Sequence, residues 1–415
     1  MPSSIVLIGC FDTKGPAFAF LRQCILARGE SVITINTGMM ETMAEFPIDY
    51  DADVVAKAAN SSLAQLRTSR DRGQAITVMG EGAAKIVGQL VESGRVNGAI
   101  GMGGGGGTFV ALSAMQPIPF GVPKFCLSTM AAKDLTRLVG TKDITLMASV
   151  VDVAGLNGML TQLIEQAATA VCAMAAIMPT ATKASAGRIA VSMFGNTTAC
   201  VEQCTELLEK QGYEVVAFHA NGIGGRAMES LIGEGHFDAV LDVTTTELAD
   251  ELCGGVCSAG PDRLLAAARI NLPQVVVPGC LDMVNFSHPD TVPEQYRHRQ
   301  LYSWTPNVTL MRTDALENEQ LGRIFAQKVN QSKAAVTVVL PLKGISQIDA
   351  EGHVFYQPQI DNVLFEAIKT NLSDTISVIE SVAHINDGAF AELLVTSLLA
   401  LIQKEKYAQS MDRER

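Results

Sequence analysis

The pattern that most directly indicates chemistry is a run of five glycines in the segment GMGGGGGT, residues 101–108. The run follows a strand-like segment, GAIGM (98–102), and precedes a helix-like one, FVALSAM (109–115). A loop without side chains lets backbone N–H groups converge on an anion, and the positive end of the next helix adds to the attraction. The pattern predicts phosphate or carboxylate binding by Gly103, Gly104, Gly105, Gly106 and Gly107, with Thr108 capping the helix and offering its hydroxyl to a phosphate or metal.

This glycine loop differs from two well-known nucleotide-binding loops. No lysine follows the glycines, as a Walker A loop requires, and no acidic residue ends a strand about 20 residues on, as in dinucleotide-binding folds. A purely structural interpretation stays open, in which the glycines form a tight turn or allow close packing.

A second candidate loop, FDTKG (11–15), follows the first strand-like segment. Lys14 could pair with a phosphate, and Asp12 could hold a cation or a ribose; alternatively, Asp12 and Thr13 only cap a helix. Glu81, in GEGAA (80–84), could reach the same ligand or merely favour the start of a helix. Both glycine-containing loops are expected at the carboxyl ends of parallel strands, where doubly wound sheets bind ligands.

The second half of the chain has its own polar segments after strands. HANGIGGRAMES (219–230) offers backbone amides and a guanidinium as an anion clamp, and DVTTTELADEL (242–252) offers hydroxyls and carboxylates. His219 and Glu247 are candidate proton-transfer residues, although a lone histidine is more often structural. The predicted substrate-binding residues of this half are Gly224, Gly225, Arg226, Thr244, Thr245, Thr246 and Asp282.

Short apolar segments alternate with helical patterns along the chain, which predicts an α/β fold with mainly parallel sheets. The predicted strands include SIVLIG (4–9), SVITIN (31–36), GAIGM (98–102), VPKFCLS (122–128), ITLMAS (144–149), AVLDV (239–243), LPQVVVPG (272–279), VTLMR (308–312), AVTVVLP (335–341) and TISVIES (375–381). ITVMG (76–80), or the apolar face around it, leads into a helix predicted from Ala83 to Glu92. Asp349 to Gly352 is typical of a hairpin turn.

Residues 188–222 repeat the order of strand, polar turn, helix, glycine and strand found at 4–38. The small, polar segment Thr180 to Gly187 between them is a candidate linker. We therefore expect two Rossmann-like, doubly wound domains, residues 1–183 and 187–415, facing a central cleft.

Composition narrows the class of function. Hydrophobic residues make up 48% of the 415 residues, which is enough for a large core, and the formal charge of −12 disfavours general nucleic-acid binding. We expect no membrane segment, because the apolar stretches are too short to span a bilayer. Nine scattered cysteines are typical of a reducing compartment, so we expect a cytoplasmic protein without a disulfide framework.

Several segments together resemble the bacterial, fungal and plant proteins related to the N-terminal half of the tomato mosaic virus resistance protein. The resemblance lies in FDTKG, GMGGGGGT, GTKDITLM (140–147), SVVDVAGLN (149–157), FHANGIGGRAME (218–229), DVTTTELADELCGG (242–255), SAGPDRLLAAA (258–268), PQVVVPGCLDMVNF (273–286) and VTLMRT (308–313). It implies a two-domain fold, ATP bound with Mg²⁺ near the glycine loop, and a homodimer. The plant proteins carry a fused TIM barrel and inhibit viral RNA replication, which is not carried over to this chain.

One segment departs from the family pattern: QLYSWTPN (300–307) stands where the family favours a His-Asn pair near Trp304. Three functional hypotheses stay open. The first is a cytosolic ATP-binding protein whose glycine loop holds the phosphates, with Lys14 neutralising one and Asp12 or Glu81 helping to hold magnesium. The second is an enzyme acting on an oxo acid or phosphorylated sugar acid, clamped by Arg226 and the threonines. The third is an interaction module stabilised by a nucleotide.

Overall fold

The computed structural model describes residues 3–42, 45–177 and 185–413, with side chains as far as residue 407. The chain divides into two compact units, Met1–Ala181 and Thr182–Arg415. Of the predicted linker, Thr180 to Gly187, only the last three residues lie within the described ranges. Each unit has a parallel sheet with helices on both faces, as the sequence predicts.

Unit 1 is built on a five-stranded parallel sheet in the order β2-β1-β3-β4-β5. Its strands are β1 Ser4–Gly9, β2 Val32–Asn36, β3 Val96–Gly103, β4 Lys124–Ser128 and β5 Ile144–Ala148. Its helices are α1 Phe11–Leu26, α2 Ala52–Ala58, α3 Leu63–Ser69, α4 Arg72–Glu92, α5 Gly105–Met115, α6 Thr136–Val139 and α7 Gly158–Ala175. Helices α1 and α7 cover one face of the sheet, and α2, α4 and α5 cover the other.

The strand order places the ends of β1 and β3 side by side. All six residues of β1 are buried, because helices cover both faces of the sheet, which explains its continuous apolar sequence. The chain passes from β1 outward to β2 and then returns to the other side of β1 as β3. The loops that follow β1 and β3 therefore diverge at a topological switch point, where open parallel sheets form a crevice.

The prediction that a helix begins only at Ala83 is wrong. ITVMG (76–80) lies inside the 21-residue helix α4. The buried side chains Ala75, Met79, Ala83 and Ile86 recur at the spacing of three or four residues that one face of a helix requires. The β-branched residues Ile76, Thr77 and Val78 locally favour a strand, but the longer helical period prevails.

Unit 2 contains a six-stranded parallel sheet in the order β14-β13-β9-β8-β6-β7 and a three-stranded antiparallel sheet in the order β10-β12-β11. The strands are β6 Arg188–Met193, β7 Glu214–His219, β8 Ala239–Thr244, β9 Gln274–Gly279, β10 Met283–Phe286, β11 Leu301–Thr305, β12 Val308–Arg312, β13 Val336–Pro341 and β14 Ser377–Ser381. The helices are α8 Thr198–Lys210, α9 Ile223–Gly233, α10 Glu247–Cys253, α11 Ala266–Arg269, α12 Ala315–Val329, α13 Pro358–Asn371 and α14 Gly388–Arg413.

The antiparallel sheet was not foreseen from the sequence. VTLMR forms β12 as predicted, but its partners are the short strands β10 and β11 rather than the parallel sheet. The predicted hairpin at Asp349 to Gly352 is also wrong, because a short 3₁₀ helix, Gln347–Asp349, precedes this turn and α13 follows it. Gly352 does adopt the positive φ, 84°, that the turn prediction required. Among the described residues, no helix is long and apolar enough to cross a membrane.

Candidate functional site

A cavity of about 470 Å³ opens at the switch point of unit 1. The loop after β1, the loop after β2, the glycine loop after β3 and the first turns of α4 surround it. Two helices, α1 and α5, begin at this cavity, so the partial positive charges of their N-termini both act there. The structure thus brings together the two loops that the sequence singled out.

The glycine loop becomes a helix earlier than the sequence predicts. Gly104 is the N-cap of α5, and the amide of Thr108 makes the first helical hydrogen bond, 2.8 Å to the carbonyl of Gly104. Helix geometry leaves the amides of residues 104–107 without partners inside the helix. Four consecutive N–H groups are therefore available at the wall of the cavity.

The positions of this loop are glycine for different physical reasons. A Cβ on Gly101 would lie 2.4 Å from the Cβ of Ala111, and one on Gly103 would lie 2.9 Å from the Cα of Gly107. These two glycines allow the strand and the helix to pack closely. A Cβ on Gly105 would meet no atom within 4 Å. Packing therefore does not explain Gly105, which lines the cavity.

Thr108 does not lie at the cavity. Its side chain is 1% exposed, and its hydroxyl lies 2.6 Å from the hydroxyl of Ser128 and donates to the Gly103 carbonyl at 3.3 Å. The prediction that Thr108 caps α5 is wrong, because the cap is Gly104, four residues earlier, and the helix begins at Gly105. The hydroxyl instead ties α5 to the end of β4, so the structure does not support its predicted contact with a phosphate or metal.

Asp12 is a buried carboxylate, and only one of its two oxygens accepts hydrogen bonds within the described chain. Its Oδ2 accepts hydrogen bonds from the amides of Met39 and Met40, both at 2.9 Å. Its Oδ1 is buried and has no hydrogen-bond partner within the described chain. A Cβ on Gly38 would lie 2.5 Å from the Asp12 carboxyl carbon, so the loop after β2 must approach Asp12 as glycine. Asp12 therefore shapes the cavity and keeps one oxygen for a further contact.

Two cations lie near the start of α1. Lys14 lines the cavity while its Nζ donates to the carbonyl of Val153, and Arg72, the first residue of α4, also lines the cavity. Burial raises the pKa of the Cys10 thiol, while a hydrogen bond with Thr37 and the charges of Lys14 and Arg72 act to lower it. Both cations and Cys10 therefore line the same cavity at the N-terminus of α1.

Glu81 lies outside this group, whereas Arg72 was missed. Helix α4 presents Arg72, Ala75, Ile76 and Met79 to the cavity, at the spacing of one helical face. Glu81 follows Met79 by two residues, which turns it to the exposed side of the helix. The signal for Arg72 was present in the Asp71-Arg72 pair that starts an amphipathic helix. The prediction began this helix only at Ala83 and therefore left Arg72 outside it.

The polar residues predicted as a site in unit 2 mostly form ion pairs and hydrogen bonds in its interior. Arg263 is fully buried and binds Asp242 through NH1 at 2.6 Å and NH2 at 2.7 Å. Its Nε binds Glu247 at 2.5 Å, and its NH1 lies 3.2 Å from Glu229. The other oxygen of Glu247 accepts from the amides of Gly222 and Gly225. Glu247 is thus a buried structural anion, and its predicted role in proton transfer is not supported.

The remaining residues predicted for unit 2 do not converge. Three fully buried threonine hydroxyls have internal partners: Thr244 with Thr197 at 2.7 Å, Thr245 with the Val277 carbonyl at 3.2 Å, and Thr246 with Asn285 at 3.4 Å. Asp282 is also fully buried and accepts from Ser346 at 2.8 Å; burial raises its pKa to about 6. The Gly224 amide donates to Asn221, while His219 and Arg226 are exposed. The clamp predicted from Arg226 and the threonines is therefore not formed, because the threonines face the core.

Fold and site together define a two-unit α/β protein with a cavity at the switch point of its first parallel sheet. Sequence comparison matches the chain to the two domain models of one family. The family model for the "Uncharacterised protein family (UPF0261) N-terminal domain" matches residues 3–180, and the one for the C-terminal domain matches residues 186–402. The chain belongs to the UPF0261 family.

Relatives from bacteria and a plant cover nearly the whole chain. A UPF0261 protein of Clostridium tetani is 42% identical over 97% of this chain and 100% of its own length, and one of Rhizobium meliloti is 41% identical over 95% and 98%. The ToMV susceptible protein tm-1 of Solanum lycopersicum is 34% identical over 99% of this chain, which spans 57% of that longer protein. The resemblance seen in the motifs is therefore confirmed as family membership.

Proposed function

We propose that unit 1 binds a nucleotide, ATP together with Mg²⁺, in the cavity at the glycine loop. The supporting observation is the convergence of two helix N-termini and two cationic side chains on one cavity, to which the glycine loop contributes only backbone. The amides at 104–107 hold the phosphates, and Lys14 and Arg72 balance part of their charge. The cavity therefore combines positive charge, which attracts phosphate, with backbone N–H donors of defined direction and open space for a ligand.

The rest of the cavity fits the uncharged part of a nucleotide. Ile76, Met79, Met102 and Val110 contribute apolar walls. A volume of about 470 Å³ lies within the usual range for small-molecule sites, roughly 300–1,000 Å³. A base packs against the apolar side chains while the phosphates lie against the loop.

Magnesium fits this cavity only as part of a nucleotide complex. No group of three or more His, Cys, Asp or Glu side chains that could hold a metal occurs among the described residues. Mg²⁺ is commonly held by one or two carboxylates, water and phosphate oxygens. The free Oδ1 of Asp12 is a suitable protein ligand, directly or through water. The phosphates supply the ligands that the protein lacks.

Titration calorimetry of the full chain with ATP and Mg²⁺ tests this proposal, using Gly105→Val and the matched control Gly158→Val. Both glycines are the first residue of a helix, and a Cβ on either would meet no atom within 4 Å, so both variants should fold. We expect Gly105→Val to weaken binding at least about tenfold, or about 1.4 kcal/mol, and Gly158→Val to leave it unchanged. Equal affinity in both variants would contradict the proposal, as would the absence of ATP binding by the unaltered chain.

Asp12→Asn separates the metal from the phosphates. Asparagine can still accept from the amides of Met39 and Met40, so the loop keeps its position. We expect the variant to lose most of the gain in ATP affinity that Mg²⁺ confers, while its affinity for ATP without Mg²⁺ does not fall. An unchanged effect of Mg²⁺ would remove Asp12 from the proposed metal site.

The second hypothesis, a small-molecule enzyme that uses the polar residues of unit 2, has less support. The hydroxyls of Thr244, Thr245 and Thr246 and the carboxylate of Glu247 are occupied inside the unit. We therefore place the proposed ligand in unit 1.

A further inference from the structure

A second cavity of about 270 Å³ continues from the first one in unit 1. The two cavities share Met39, Met40, Arg72 and Ala75, so they meet along the loop after β2 and the start of α4. The additional wall comes from the end of α3 and the turn before α4, and it contributes Arg67 and Arg70. We call Arg67, Arg70 and Arg72, which surround this extension, the arginine arm.

The arginine arm is an excess of positive charge in an acidic chain of formal charge −12. The one carboxylate in its lining, Asp71, already caps α4 by accepting from the Gln74 amide at 2.9 Å. The guanidinium groups of Arg70 and Arg72 make no hydrogen bond or ion pair that is seen within residues 3–42, 45–177 and 185–407. Both side chains are exposed, and no described residue forms an ion pair with either of them.

The third arginine of the arm is held in place. The Nε of Arg67 donates to the Met39 carbonyl at 2.5 Å, and the Met39 amide donates in turn to Asp12. The same loop thus connects the carboxylate of the first cavity to a guanidinium of the second. Arg70 adopts a φ of 53°, a left-handed conformation that is less costly for glycine or asparagine than for arginine.

Solvated surface arginines are the simpler explanation of this group. It does not account for a cavity continuous with the glycine-loop cavity, nor for the hydrogen bond that holds Arg67 to Met39, a residue that lines both cavities. Guanidinium groups bind phosphate through paired N–H donors, which distinguishes them from a single ammonium.

We propose that the ligand of unit 1 carries a second phosphate group, bound by the arginine arm, in addition to the phosphates at the glycine loop. This inference rests on the proposed nucleotide site and specifies its ligand class: a nucleotide phosphorylated at both ends, or a nucleotide bound beside a separate phosphate. Arg72 lies in both cavities and connects the two anionic positions.

Calorimetric titration of the full chain with ADP and with 3′-phosphoadenosine 5′-diphosphate tests the inference. We expect the additional phosphate to tighten binding about tenfold. Arg70→Asn, which suits the left-handed backbone, should reduce that gain to about threefold or less without changing the affinity for ADP. Arg137→Gln, at an exposed position on α6, is the matched loss of charge and should keep the full gain.

The outcomes separate this inference from the proposed function. If ADP binds but the additional phosphate gives no gain, and if adding inorganic phosphate does not tighten ADP binding either, the arginine arm is not a phosphate site and the nucleotide site stands. A gain from inorganic phosphate that Arg70→Asn removes would support the form with two separate ligands. A gain that Arg70→Asn leaves intact would overturn the inference. If neither nucleotide binds, the proposed function fails, and the inference fails with it.

Discussion

Replacing Arg263 with methionine tests whether the polar residues after β8 are structural. Arg263 lies fully buried among three acidic side chains and also donates to the Thr244 carbonyl at 3.1 Å. Methionine fills a similar volume but leaves Asp242 and Glu247, which are 1% and 0% exposed, without their cation. Removing one partner of a buried ion pair costs about 3–5 kcal/mol, because the remaining charge stays buried and unpaired.

The expected shift in melting temperature depends on the size of unit 2. Unit 2 extends over residues 182–415, and for domains of about this size a loss of 1 kcal/mol lowers the melting temperature by about 2–4 °C. We therefore expect Arg263→Met to lower the melting temperature of unit 2 by about 6–20 °C. Arg263→Lys should fall between the variant and the unaltered chain, because lysine keeps the charge but cannot bind the two oxygens of Asp242 in parallel.

Arg269→Met provides the control six residues away. Arg269 pairs with Asp262, but the two side chains are 58% and 66% exposed, and pairs of that kind contribute about 0–1 kcal/mol. Scanning calorimetry of both variants, with circular dichroism to check that each one folds, measures the difference. If Arg263→Met costs no more than Arg269→Met, the buried network is not structural, and Glu247 becomes a candidate for chemistry again.

Two further predictions concern pH and a cysteine. Burial, together with the charges of Asp282 and Asp361, raises the pKa of Asp349 to about 9, so the folded chain holds a proton that the unfolded chain loses above about pH 4. The free energy of unfolding should fall by at most about 1.4 kcal/mol per pH unit as the pH rises from about 4 towards 9. In melts at pH 5.5 and 8.5, Asp349→Asn should remove this loss, whereas the control Asp374→Asn, at an exposed position, should keep it. In mass-spectrometric thiol labelling, ATP with Mg²⁺ should slow modification of Cys10, which lines the cavity, but not of Cys257 in unit 2, which is also half-buried. Equal protection of both thiols would contradict the site.

The glycine loop was found from the sequence because its signal is local. Five glycines directly after a buried strand allow few structures, and the cavity lies where the pattern indicates. The exact start of α5 was not predictable in the same way, because glycine has a weak helix propensity and the helix begins inside the run. The misplaced boundary gave Thr108 a cap position that Gly104 occupies.

The misplaced start of α4 had a larger effect on the prediction of the site. Ile76, Thr77 and Val78 form a window with high strand propensity, whereas the helical period becomes clear only over the full length of α4. Recognising that period would have placed Arg72 at the start of a helix facing the glycine loop. A prediction of the cationic wall therefore depended on an element boundary, which single-sequence reasoning locates to within a few residues at best.

The polar segments of the two units show why residue type alone does not identify a site. In unit 2, Thr244 to Glu247 follow a strand as a ligand-binding loop would, but a guanidinium supplied by Arg263 pairs with Glu247 inside the protein. In unit 1, the charges of Arg70 and Arg72 have no such partner among the described residues, and they line cavities. Only the folded chain shows which polar groups are already paired, because the partners come from distant parts of the sequence. The unbalanced cations of unit 1 are therefore a stronger indication of a ligand than the larger polar set of unit 2.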